Sequence, residues 1–152
     1  MTKPEFVYVT YIASTPEKIF QALVDTEITR KFWMGSTTGP ARVNVSDWRP
    51  GSRWQHVRDD ESHAVDVVGN VVESSPPRRL VVTWARPTEA DDDSKHSRVT
   101  FDIEPLDGGQ VRLTVTHEQL EHDPKMLASI SGGWPRVLSN LKTFLEAGRF
   151  PI

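Results

Sequence analysis

The stretch Gly132-Gly133-Trp134-Pro135-Arg136-Val137-Leu138-Ser139-Asn140-Leu141-Lys142-Thr143-Phe144-Leu145-Glu146, GGWPRVLSNLKTFLE, carries the cleanest helical period of the chain and decides its fold. Trp134, Val137, Leu138, Leu141 and Leu145 stand at offsets 0, 3, 4, 7 and 11, which on a helix makes one continuous apolar stripe about 100° wide. Arg136, Ser139, Asn140, Lys142 and Glu146 mostly point elsewhere. Pro135 has no backbone N–H to donate and restricts Trp134 before it. Either the helix starts near residue 133, or a turn begun at Pro124 continues through a weak point at 132–135. Both versions leave Trp134 at the entrance of the helix.

Working outward, the preceding residues read as the surface that this stripe covers. EFVYVTYI, residues 5–12, is dense in β-branched and aromatic side chains and reads as a first strand. Ser14-Thr15-Pro16-Glu17 follows with a hydroxyl cap, a proline in the first turn and a glutamate placed to reach back, a capping box. Ile19, Phe20, Leu23 and Val24 then recur at helical spacing, so a short helix runs from about Pro16 to Val24. A second short helix is predicted from Glu27 to Trp33, after the caps Asp25 and Thr26. From Ala41 the texture changes to alternating runs divided by turns: ARVNV, SRWQHV, VDVVGNVVE, RLVVTW, then Val99 to Ile103 and Val111 to Val115. Each has one apolar and one wet face. Arg86 to Arg98, RPTEADDDSKHSR, has no period and reads as a solvated loop. The order predicts an α+β arrangement: a curved antiparallel sheet of about six to seven strands, two short helices after the first strand, and the long C-terminal helix as the cover.

A chain of 152 residues fits one domain, 1–152. With 18 basic against 21 acidic residues and a net charge of −3, it lacks the basic footprint of a nucleic-acid binder. The absence of cysteine removes disulfides, thiolate nucleophiles and cysteine zinc sites and agrees with a reducing compartment. No run of apolar residues has the length of a membrane span, and the N-terminus lacks a signal-peptide pattern, so a cytoplasmic protein is expected.

Three separated motifs, IASTPEKIFQALVD with KFWMG, GNVVESSPPRRLVVTWA, and GGWPRVLSNLKTFLE, occur in order and in register. In them the chain resembles the domain similar to the C-terminal part of the activator of the heat-shock-protein 90 ATPase. That family lies within the START and birch-pollen-allergen superfamily of helix-grip folds, which the resemblance implies for this chain, and the resemblance covers nearly the whole chain. It implies a deep cavity between the concave sheet and the long helix, used by different members for lipids, steroids, polyketide intermediates or protein contacts.

The residues expected to face such a cavity are Trp33, Met34, Trp54, Trp84, Trp134 and Leu138, large apolar groups of the kind that line small-molecule sites. His56, on a strand face with Trp54, and His117, at the end of the last strand, are the polar candidates, able to bond a ligand or serve as a base. His117 and His122 are five apart, which matches no helical ligand pair, and no metal or cofactor is expected. The first reading is a binding module for a small hydrophobic molecule. A cyclase or hydrolase using the same cavity, and a stress-related co-chaperone or self-associating (homodimeric) interaction domain, are the alternatives.

Overall fold

The computed structural model describes residues 5–33 and 40–147. β1 (Glu5–Ala13) leads into α1 (Pro16–Val24) and α2 (Thr26–Phe32), followed by β2 (Arg42–Ser46), β3 (Arg53–Arg58), β4 (Val65–Ser75), β5 (Arg79–Trp84), β6 (Ser97–Leu106), β7 (Gln110–Glu118) and α3 (Pro124–Ala147). The strands form one antiparallel sheet in the order β1-β7-β6-β5-β4-β3-β2, so β1 closes back against the last strand and β2 ends the other side. This is the α+β arrangement expected. Inward-facing Leu113, Val115, Val99, Phe101, Ile103, Leu80 and Val82 pack with Ile130, Trp134, Val137, Leu138 and Leu141 of α3 in a single buried cluster.

The caps explain where the short helices start. Thr15 caps α1, its hydroxyl accepting from Lys18 N at 3.2 Å. Because the cap is Thr15 and not Ser14, the third helical position falls on Lys18. Glu17 is therefore one residue early for the reciprocal bond of a capping box. Asp25 ends α1 with its N–H on the Gln21 carbonyl and starts α2 by accepting from Ile28 N at 3.0 Å. Trp33 is the C-cap of α2.

At α3 the structure resolves the two readings of Pro135: the helix starts at Pro124 and passes through it. An interior proline removes one helical hydrogen bond and costs about 3 kcal/mol, which burial of Ile130 and Trp134 on one side and Val137, Leu138 and Leu141 on the other offsets. Trp134 thus lies in the middle of the helix and not at its entrance. The start of α3 is held by Asp123, which accepts from Met126 N at 3.0 Å and pairs with Arg86 at 3.0 Å.

Three further contacts fix the frame. Trp54 reaches across β4 to donate its indole N–H to the Thr83 carbonyl at 2.7 Å. It crosses directly over Gly69, where a Cβ would stand 1.8 Å from that carbonyl oxygen. At the other end of α3, Lys142 Nζ donates to the Tyr11 carbonyl at 2.6 Å, and Glu146 accepts from the Ala13 N–H at 2.8 Å. The segment read as a solvated loop contains two short 3-10 turns, Pro87–Glu89 and Asp93–Lys95. It is pinned by buried His96, which bonds Thr83 Oγ1 at 2.8 Å and the Ala90 carbonyl at 3.0 Å. Among the described residues no helix is long and apolar enough to cross a membrane.

Candidate functional site

All five tryptophans of the chain meet in one cluster. Trp33 and Trp84 each lie 5.5 Å from Trp134, Trp54 lies 5.4 Å from Trp84, and Trp48 stacks on Trp54 at 6.3 Å. They come from the end of α2, the turn after β2, the inward faces of β3 and β5, and the middle of α3. Aromatic pairs at these spacings add to simple burial. The rings fill much of the deep hollow that the family resemblance implies: beneath them the remaining void, lined by Leu23, Trp33, Trp54 and Phe101 among others, is about 10 Å³.

Open space is left to one side. A cavity of about 350 Å³ lies between α3 and the β2–β5 half of the sheet, within the roughly 300–1,000 Å³ of small-molecule sites. The helix contributes Met126, Ser129, Ile130, Gly133, Trp134 and Val137, a run of alternating steps of three and one that marks a single helical face. Gly133 matters here because a Cβ at that position meets nothing within 4 Å. Facing this are Trp33, His56, Val67 and Trp84, and the rim carries Arg42, Asp66 and Arg86.

The rim charges are paired. Asp66 holds Arg42 at 2.6 Å and Arg58 at 3.0 Å. Burial works against its charge, but the bonds from the two guanidinium groups keep its carboxyl below the usual range. Arg86 pairs with Asp123, whose carboxyl is likewise held low against burial by Arg86 and the Met126 N–H.

The two candidate histidines differ in kind. His117 is fully buried and bonded at both nitrogens: Nδ1 accepts from the Trp134 indole N–H at 3.1 Å, and Nε2 faces Ser97 Oγ at 2.7 Å. Since the indole can only donate, Nε2 carries the proton and donates to Ser97 Oγ, whose own proton goes to the Trp84 carbonyl at 3.0 Å. This relay ties α3 to β7, β6 and β5. His56 bonds Asn44 Oδ1 through Nδ1 at 2.7 Å. Asn44 is tied in turn to α2, its N–H donating to Thr29 Oγ1 at 3.1 Å and its carbonyl accepting from Thr26 Oγ1 at 2.8 Å. Burial pushes both imidazoles down to about 3, for His56 with help from Arg42 against the opposing Asp66. A base that weak abstracts protons poorly at neutral pH.

Of the residues singled out in the sequence, the structure brings Trp33, His56, Trp84 and Trp134 to the cavity. Trp54, His117 and Leu138 lie in the core beside it, and Met34 falls outside the described residues. Met126, Ser129, Ile130 and Gly133 were missed because the Gly-Gly-x-Pro sequence hides the backward continuation of the stripe; the step from Met126 to Ile130 to Trp134 was the available signal. Arg42, Asp66 and Arg86 had none, being brought together by strand pairing alone. Among the described residues no group of three His, Asp or Glu side chains is placed to hold a metal ion.

A curved antiparallel sheet closed by one long helix, with an aromatic-lined cavity between them, defines a helix-grip domain. The chain belongs to the family described as Activator of Hsp90 ATPase homolog 1-like protein, whose model matches residues 13–146. Among solved structures it is similar to the Aha1 dimer from Colwellia psychrerythraea, at TM-score 0.71 and 22% identity over 95% of this chain and 98% of that one. It is similar also to an HSP90 activator from Plasmodium falciparum, at TM-score 0.70 and 19% identity over 97% of each chain. CalU16 from Micromonospora echinospora aligns at TM-score 0.69 and 16% identity over 95% of this chain and 77% of that one. At these identities the structural likeness speaks for the fold. No curated protein matches the chain.

Proposed function

We propose that the chain acts as a single cytoplasmic domain that binds a small hydrophobic molecule between the sheet and α3. The observation that carries this reading is the cavity of about 350 Å³ floored by Trp33, Trp84 and Trp134. An apolar enclosure with a few fixed polar groups is what small-ligand sites share, and the paired rim charges leave its walls to select by shape and hydrogen bonding. Trp54, His117 and Leu138 support the cavity from behind in this reading. The lowered histidines favour binding over cyclase or hydrolase chemistry.

The test uses Gly133→Leu, which fills the cavity from a position where a side chain meets nothing, beside Gly132→Leu, equally unobstructed on the same helix but off the cavity wall. Lipids, steroids and aromatic polyketides are screened by thermal shift. Compounds that stabilise the native chain and the Gly132 variant but not the Gly133 variant support the site, since a ligand raises stability only through a site present in the fold. If no compound shifts the native chain, the reading fails. A second reading, a co-chaperone-like or self-associating interaction domain, draws support from the family match and from the HSP90 activator and Aha1 dimer among its structural neighbours. Capture of a chaperone ATPase by the full chain, and its mass in solution, test that alternative.

A further inference from the structure

The cavity holds a hydrogen-bond acceptor without a partner. His56 is 5% exposed and lines the cavity. Its Nδ1 faces Asn44 Oδ1, an atom that only accepts, so Nδ1 carries the ring proton and Nε2 presents a bare lone pair. Asn44 is not a cavity residue, so the bond turns the proton-bearing nitrogen away from the space. Nε2 has no hydrogen-bond partner among the described residues. Beside His56, at 6.0 Å between ring centroids, lies the ring of Trp84. A ligand that covers Nε2 leaves it unpaired unless the ligand itself supplies a proton donor, and a hydroxyl group does so.

Resting on the ligand-binding reading above, we propose that the cavity selects a flat aromatic molecule bearing a hydroxyl group, with Nε2 of His56 accepting the hydroxyl proton. Trp33, Trp84 and Trp134 supply the faces and edges against which such a ring packs. Selectivity comes from the Asn44–His56 bond, which fixes the imidazole as an acceptor. A ligand offering only an acceptor or only carbon at that point leaves the nitrogen buried and unpaired. Arg42 and Arg86, already held by Asp66 and Asp123, are not needed to neutralise a ligand carboxylate, so an uncharged hydroxyl suffices.

The experiment is equilibrium dialysis of the full chain against 2-naphthol and 2-fluoronaphthalene, nearly equal in shape. The fluoro compound is the more hydrophobic, so a preference for the naphthol does not come from apolar walls. We expect the naphthol to bind about tenfold more tightly or better, and His56→Phe to reduce the two affinities to parity. Should that variant not fold, nitrogen-labelled histidine in the native chain gives the same answer, because the Nε2 resonance of His56 shifts with the naphthol and not with the fluoro compound. Equal binding of both probes overturns the hydroxyl assignment while leaving the cavity reading intact. A naphthol preference with no Nε2 response removes His56 from the role, and binding of neither probe, nor of any compound in the wider screen, ends both.

Discussion

Lowering the pH from 7.5 to 5 is expected to destabilise the fold steeply, through two buried imidazoles. His56 and His117 titrate near 6.5 when the chain is unfolded and near 3 in the native fold, chiefly because burial penalises the cation. The native state therefore binds fewer protons than the unfolded state between those values, so the stability is complete above 6.5 and is lost as the pH falls toward 3. At pH 5 the unfolded imidazoles are almost fully protonated and the native ones are not. Each then withdraws about 2 kcal/mol relative to pH 7.5, and the pair about 4 kcal/mol. Against a typical total of about 5–15 kcal/mol, that is a large fraction. Urea unfolding followed by tryptophan fluorescence, at constant ionic strength and several pH values, measures it directly. Stopping at pH 5 keeps Asp66 and Asp123, whose carboxyls are held low, ionised throughout. His117→Gln is expected to halve the slope. Equal unfolding free energies at pH 5 and 7.5 would refute the neutral, partner-locked imidazoles on which the site's description rests.

Other substitutions probe the frame. Gly69→Ala puts a methyl group 1.8 Å from the Thr83 carbonyl oxygen, so β4 or β5 must move and stability should fall by about 3 kcal/mol, read by chemical denaturation. Trp134→Phe removes the donor to His117 Nδ1 and should cost about 2 kcal/mol, visible as a lower melting temperature. Asp123→Ala deletes the cap of α3 and the partner of Arg86; a loss of about 1–2 kcal/mol is expected, with faster amide exchange confined to the first turns of the helix.

The period of two in the strands and the stripe from Trp134 to Leu141 were legible because each depends only on neighbours along the chain. Thr15 and Asp25 as caps were nearly so, with a shift of one residue from Ser14 that only the backbone angles decide. Pro135 shows the limit: local chemistry favours a break there, and the core contacts of Ile130 and Trp134, set by distant strands, override it. The same holds at the site. Trp33, His56, Trp84 and Trp134 announce themselves as bulky or titratable groups at inward positions, whereas the reason His56 accepts and His117 is locked lies in Asn44 and Ser97, residues with no pattern to mark them. His96 looked like part of a charged loop, and its anchoring role follows from Thr83, thirteen residues away.

The bonds from Lys142 and Glu146 to Tyr11 and Ala13 occupy main-chain groups on the outer border of β1, places where a foreign strand would otherwise dock. Guarding that border is thus delegated to the last turns of the terminal helix. Fraying there uncovers a template for polymerisation, so loosening of the C-terminus and the onset of intermolecular β-ribbons should occur together.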